Sequence, residues 1–205
     1  MINYIKKNEV LVPIGSSCSV ASYLRQLGLR KEAFPFDWNV TPIEDAIELI
    51  NNNFKYFLNE KSLIYLEPTK RLLFKENGID FESSNDIITP VYCTNTNTLF
   101  VHDFSVNGKA DLKEVKKKYH RRIKRLNKLL NNTNIKIIFI YDDSLPNEWQ
   151  MEQYNKVNYT FKRINDIAKL DELKRDNSEI ISLKDFIKKT KMRKIFFSIK
   201  RVLLK

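Results

Sequence analysis

Cys18 stands in the run Gly15-Ser16-Ser17-Cys18-Ser19, five small residues in a row. Glu9–Ile14 before it reads as a buried strand, and Val20–Leu29 after it as a helix with Val20, Tyr23, Leu24 and Leu27 on one face, so the run is a strand-to-helix turn. Such a turn aims backbone N–H groups at the helix start, where they and the helix dipole favour an anion and shift a thiol toward its thiolate. Cys18 is thus the candidate nucleophile, and Gly15, Ser16, Ser17 and Ser19 are candidate ligand-binding positions. The alternative is a closely packed turn around an inert, buried thiol. Cys93 has no comparable setting and reads as structural.

A nucleophilic thiol needs a base, and the chain has two histidines, His102 and His120. His120 falls inside a long basic helix, on its exposed face. His102 lies near the end of Thr98–Phe104, which reads as a strand; in an open parallel sheet its end shares an edge with the Cys18 turn. A cysteine activated by an imidazole, with a carboxylate or amide orienting the ring, is the minimal constellation for acyl transfer through a thioester. Asp103 is the adjacent carboxylate, although on a strand it would point to the opposite face. Asp142 and Asp143, after a later strand, are further candidates to orient the ring. A hydrogen-bonded structural histidine is the alternative for His102. In Phe34-Pro35-Phe36-Asp37-Trp38 an acid is enclosed by aromatics, where desolvation raises a carboxyl pKa. Asp37 is therefore a candidate general acid or ligand anchor, with Trp38 as a ligand contact. The same residues also suit a braced loop whose aromatics fill core.

The elements that must hold these residues alternate. Thr41-Pro42-Ile43-Glu44 has the spacing of a capping box and predicts a helix through Ile43, Ala46, Ile47 and Ile50, ended by Asn51-Asn52-Asn53. Between 54 and 90, short strands at Ser62–Leu66 and Arg71–Phe74 and a turn at Asn77-Gly78 have no evident order. Leu112, Val115, Tyr119, Ile123, Leu126 and Leu130 recur at helical spacing and predict a helix over Asp111–Asn131 with its cations outward. Arg121 and Arg122 on that cationic side are solvated or bind a phosphorylated ligand. Ile135–Tyr141 follows as the most apolar strand, making a strand–helix–strand crossover with Thr98–Phe104. A helix around Glu148–Val157 and strands near Tyr159–Ile164 and Glu179–Leu183 complete the pattern. The alternation predicts a layered α/β domain over 1–183, with a mostly parallel sheet flanked by helices, followed by a basic amphipathic helical tail over 184–205.

Composition narrows the classes. The chain has 205 residues, 42% apolar and 30% charged, with two cysteines and a net charge of +11, which excludes disordered, fibrous and disulfide-framework proteins. No Cys-x-x-Cys pair offers a zinc site, and neither a metal nor another cofactor is expected. No apolar run reaches the ~18–20 residues of a membrane span, and the first residues lack a signal peptide's apolar core, so a cytoplasmic protein is expected. Between Lys184 and Lys205 nine basic residues stand against one acid, leaving +3 for the rest of the chain. With Phe186, Ile187, Ile195, Phe196, Phe197 and Ile199 interleaved, this tail suits either an anionic membrane surface, at its inner face, or packing on the domain. Nucleic acid is disfavoured as a partner, because the aromatics do not alternate with cations as a stacking platform requires.

The stretch Val12–Arg30 with its Gly15-Ser-Ser-Cys18 turn, followed by Ala33-Phe-Pro-Phe-Asp-Trp38, resembles the bacterial and viral family described as "putative papain-like cysteine peptidases" of unknown function. Phe100-Val-His-Asp-Phe104 and Tyr119-His-Arg-Arg122 resemble its later motifs. The resemblance spans about positions 10–142 and implies Cys18 as nucleophile and His102 as its base. One departure stands out: in papain-like enzymes the cysteine helix packs on a separate β-rich lobe, whereas here a strand leads straight into the cysteine turn. Three readings follow. The first is a cysteine-dependent hydrolase or acyl transferase acting on a small-molecule, peptide or glycan substrate. The second is a membrane-peripheral transferase of surface-polysaccharide assembly that cradles a phosphorylated donor at Gly15–Ser19, and the third is a non-catalytic binding module.

Overall fold

The computed structural model describes residues 6–15, 18–70, 75–76, 79–80, 87–106, 108–142, 144–161, 168–173 and 177–190. In chain order these form β1 (Glu9–Gly15), α1 (Ser19–Gln26), β2 (Asn39–Val40), α2 (Ile43–Asn51), β3 (Leu63–Tyr65), β4 (Thr69–Lys70), β5 (Lys75–Glu76), β6 (Ile79–Asp80), β7 (Ile87–Ile88), β8 (Val91–Cys93), β9 (Thr98–Phe100), α3 (Leu112–Leu130), β10 (Lys136–Asp142), α4 (Glu148–Lys156), α5 (Ala168–Asp171) and β11 (Ser178–Ser182). Residues 183–190 are helical.

A parallel sheet in the order β1-β10-β11 forms the centre. The period-two alternation of its strands divides its apolar residues between two covered faces. Val12, Ile14, Ile137 and Phe139 pack on Ile43, Ala46, Ile47 and Ile50 of α2 and on Leu126 and Leu129 of α3. Leu11, Ile140 and Ile181 pack on Val20 and Leu24 of α1 and on Leu183 and Phe186. Helices on both faces of a parallel sheet are what near-continuous apolar strands require. Val20 and Leu24 are fully buried, which fixes the helix that follows Cys18. Among the described residues no helix is long and apolar enough to cross a membrane.

Beside this sheet stands an antiparallel one, β2-β9-β8-β3, and it corrects the expected crossover. The strand expected over Thr98–Phe104 ends at Phe100 and pairs antiparallel with β8 and β2, so α3 connects two different sheets. The register Asn39↔Phe100 sets the residues just before β2 against those just after β9. The sequence periodicity of three-residue strands is too short to reveal this pairing.

Other expectations also change. Thr41 does not cap α2: Pro42 occupies that place without a side-chain bond, while the Thr41 hydroxyl donates to Asn39 Oδ1 at 3.0 Å and meets Thr98 Oγ1 at 3.0 Å. The capping box forms instead at α4, where Asn147 Oδ1 accepts from the Gln150 amide and Gln150 returns to the Asn147 amide. Tyr159 to Phe161 is not a strand, because Tyr159 and Phe161 pack their rings around the buried Tyr154; residues 162–164 lie outside the described residues. In the basic C-terminal segment Phe186 is buried edge-on to Tyr23, and Lys189 pairs with Glu179. Residues 191–205, most of the expected membrane-binding tail, lie outside the described residues, as do Arg71–Phe74 and the Asn77-Gly78 turn.

Candidate active site

The register Gly15↔Asp142 places the ends of β1 and β10 side by side, at the edge where the chain turns into α1. Gly15 turns there with φ +95°, a left-handed conformation for which a side chain is strained. A Cβ at this position would also lie 2.7 Å from Ile43 Cγ1. Gly15→Ala is expected to cost about 1–3 kcal/mol, read as a lower urea midpoint with unchanged slope. Ser16 and Ser17 lie outside the described residues. Cys18 is the N-cap residue of α1 and is 5% exposed. The next residue, Ser19, is fully buried and donates through Oγ to Asp142 Oδ2 at 2.5 Å, while Asp142 Oδ1 accepts from the Ser144 amide at 3.0 Å. Asp142 thus braces the start of the cysteine helix. Ser19→Ala is expected to cost about 1.5–3 kcal/mol, as for a bond to a charged group, seen as a lower melting temperature.

Cys18 Sγ lies 3.4 Å from Nε2 of His102, within hydrogen-bond reach for sulfur. His102 reaches it from the bend after β9, a half-buried position outside the ladder. Trp38 stands beside it because of the Asn39↔Phe100 pairing: the rings meet edge-to-face, with centroids 5.8 Å apart at 79°. A thiol and an imidazole at this separation can exchange one proton, giving a thiol with neutral histidine or a thiolate with imidazolium. The helix start favours the second form.

The two nominated carboxylates have other partners. Asp103 accepts from Tyr119 Oη at 2.6 Å and is ion-paired with Lys118. Burial and the Asp103 charge hold the Tyr119 phenol well above its usual range, so it remains a donor. Asn39 donates to Tyr119 Oη at 3.2 Å and to Pro35 O at 2.8 Å, which ties the Phe34–Trp38 loop to α3. Asp37 is completely buried and accepts from Arg30 Nε at 2.8 Å and Nη2 at 2.5 Å, both on Oδ2. Among the described residues its Oδ1 and Nη1 of the buried Arg122 have no hydrogen-bond partner. Arg122, expected on the solvated side of α3, instead lies over the Tyr119 ring, 5.1 Å from its centroid. Arg121 is exposed and borders a groove with Lys124, Arg125 and Lys128. His120 is exposed, in a groove with Lys116 and Lys124. Cys93 is buried beside Ser62 Oγ at 3.4 Å, and the two cysteines do not form a disulfide. Asp143 lies outside the described residues. Among the described residues no group of three or more His, Cys, Asp or Glu side chains is arranged to hold a metal.

Desolvation raises the Asp37 carboxyl above 3.8, against the opposing pull of Arg30 and Arg122. A raised native value means that the folded chain holds this proton more tightly than the unfolded chain. The resulting stabilisation is complete below the unfolded value and is lost as pH rises from about 3.8 through the native value. The stability of wild type relative to Asp37→Asn should therefore fall as pH is raised from below 3.8 toward neutrality, in melting temperatures of both proteins. A relative stability that rises across this window would contradict the assignment.

Ser19, expected as a ligand-binding position, is instead engaged with Asp142, and Arg30 gains its importance only in three dimensions. Arg30 precedes Asp37 by seven residues, in a stretch without periodicity that would mark it as the partner of the buried acid.

A family profile described as "Putative papain-like cysteine peptidase" matches residues 9–170 of the chain. An uncharacterized protein of Acanthamoeba polyphaga mimivirus is 29% identical to it over 162 residues, covering 75% of this chain and 70% of the viral protein. No solved structure matches.

Proposed function

The chain belongs to the family described as "Putative papain-like cysteine peptidase", and from that premise we propose that it is a cysteine-dependent hydrolase or acyl transferase with Cys18 as nucleophile and His102 as general base. The observation that carries this reading is the 3.4 Å separation of Cys18 Sγ and His102 Nε2 at the start of α1. In the first half-reaction Nε2 takes the thiol proton and Sγ attacks the substrate carbonyl carbon. The oxyanion that develops lies near the N–H groups of the first turn of α1, which favour negative charge. As the intermediate collapses, the imidazolium gives its proton to the departing amine or alkoxide, leaving a thioester on Cys18. In the second half His102 deprotonates water or an acceptor hydroxyl or amine, which attacks the thioester. The thiolate leaves and the proton returns to it.

Asp142, through Ser19, holds the nucleophile's helix, and Trp38 walls the base. The Asp103 carboxylate, engaged by Tyr119 and Lys118, fixes the chain immediately after the base.

An activated acetyl ester tests the reading without knowledge of the natural substrate. The expected result is one acetyl group on Cys18, removed by hydroxylamine, formed in a burst and then turned over. Cys18→Ala should lose the adduct and His102→Ala should slow both its formation and its release. Acetylation confined to lysines, or equal at Cys93 and Cys18, would overturn the reading.

A further inference from the structure

A continuous set of contacts runs from Arg30 to the candidate nucleophile. Arg30 donates twice to one oxygen of Asp37, and its guanidinium carbon lies 5.3 Å from the centroid of the Trp38 ring. Trp38 in turn meets His102 edge-to-face, and His102 Nε2 faces Cys18 Sγ. The far end of this set is anchored in core. Phe34 and Phe36, on either side of Pro35, are almost fully buried in the cluster that packs on α2, and the Asp37 amide donates to Phe34 O at 3.3 Å. Arg125 of α3 bonds Ala33 O and pairs with Glu32 at 3.2 Å, holding the entry to the same loop.

We propose that Arg30 is a positioning residue: anchored on the buried Asp37, it clamps the Trp38 indole so that the indole holds the His102 imidazole with Nε2 toward Cys18. A planar guanidinium fixed by two bonds to one acceptor is preorganised to lie on an aromatic ring, and it restricts the ring on which it lies. The edge-to-face contact passes that restriction on, because rotating the imidazole out of its present plane removes the contact. A lysine ammonium at position 30 would keep the charge near Asp37 but has no flat surface to set against the indole. For its catalytic consequence the inference rests on the Cys18–His102 reading; the clamp itself is a statement about ring geometry.

The chain's two histidines make the test direct. In protein labelled at histidine, the ring resonances of His102 carry the ring-current shift of Trp38, and those of the exposed His120 serve as an internal reference. Trp38→Ala defines the His102 resonances without the indole. In Arg30→Lys, which keeps a positive charge near Asp37, the His102 resonances should move from their wild-type positions toward those of Trp38→Ala while His120 stays in place. The iodoacetamide rate of Cys18 at pH 7 should fall about tenfold, since a displacement on the order of 1 Å is costly to a reacting pair. The double variant Arg30→Ala/Asp37→Asn, which removes both charges together, should give the same signature with unchanged circular dichroism. The proposal is overturned if both folded variants keep His102 at its wild-type resonances. The nucleophile reading fails separately: if His102 moves as expected while Cys18 alkylation is as fast in His102→Ala as in wild type, the clamp stands and the base role does not.

Discussion

His102→Ala is expected to lower turnover of an activated ester by about 10²–10⁴-fold, the usual contribution of a positioned general base. The loss follows from the 3.4 Å contact between Nε2 and Cys18 Sγ, in the proposed mechanism the route by which the thiol proton leaves and the leaving group receives one. The α1 start keeps some thiolate without the imidazole, so Cys18 alkylation should fall less than turnover does. The fold should survive, because His102 is half-buried in a bend after the end of β9. Turnover unchanged in a folded His102→Ala protein would remove the base from the mechanism.

Arg30→Ala should be the most destabilising single change around the site, at about 3 kcal/mol near neutral pH. Asp37 is completely buried and Oδ2 accepts twice from Arg30, so truncating the arginine leaves a buried carboxyl without these two side-chain donors. Breaking a buried pair by removing one partner costs about 3–5 kcal/mol, and the lower end applies because Asp37, already raised above 3.8 by burial, answers by taking a proton. In a chain of this size the melting temperature should drop by roughly 6–12 °C. Asp37→Asn in the same chain should recover part of that loss, with a coupling of about 1–3 kcal/mol, because the orphaned carboxyl is no longer there. Additive effects of the two substitutions in thermal unfolding would show that the pair carries no such energy.

Much of the central architecture is legible in the sequence. The apolar runs of β1 and β10 and the heptad-like spacing of α3 are long enough for burial on one or two faces to leave a clear period. Cys18 and His102 stand out for a chemical reason: one thiol at a strand-to-helix turn, and two histidines to choose between. The route by which they meet was not legible. His102 arrives from a short antiparallel strand rather than from the parallel sheet, and strands of two or three residues leave too little pattern to reveal their partners.

Side-chain competition explains other differences. The Thr41 hydroxyl fits a helix cap by spacing, yet Asn39 and Thr98 beside it offer buried partners. Asp103 would point away from His102 on a strand, but the strand has already ended and Tyr119 with Lys118 takes the carboxylate. Arg122 lies three residues after Tyr119 and four before Leu126, so spacing alone puts it on the buried stripe of α3 despite its charge. Arg30 was invisible for a different reason, since no periodicity in a loop says which cation will face a buried acid.

The Cys18–His102 pair is tested most directly by the rate of iodoacetamide modification at Cys18 across pH, followed by intact mass and peptide mapping in wild type and His102→Ala. The prediction is a wild-type thiolate that titrates well below ~8.5, the value of an unperturbed thiol, and a profile displaced upward when the imidazole is removed. A Cys18 that is inert in the folded protein, or that titrates near ~8.5 in both proteins, would contradict it.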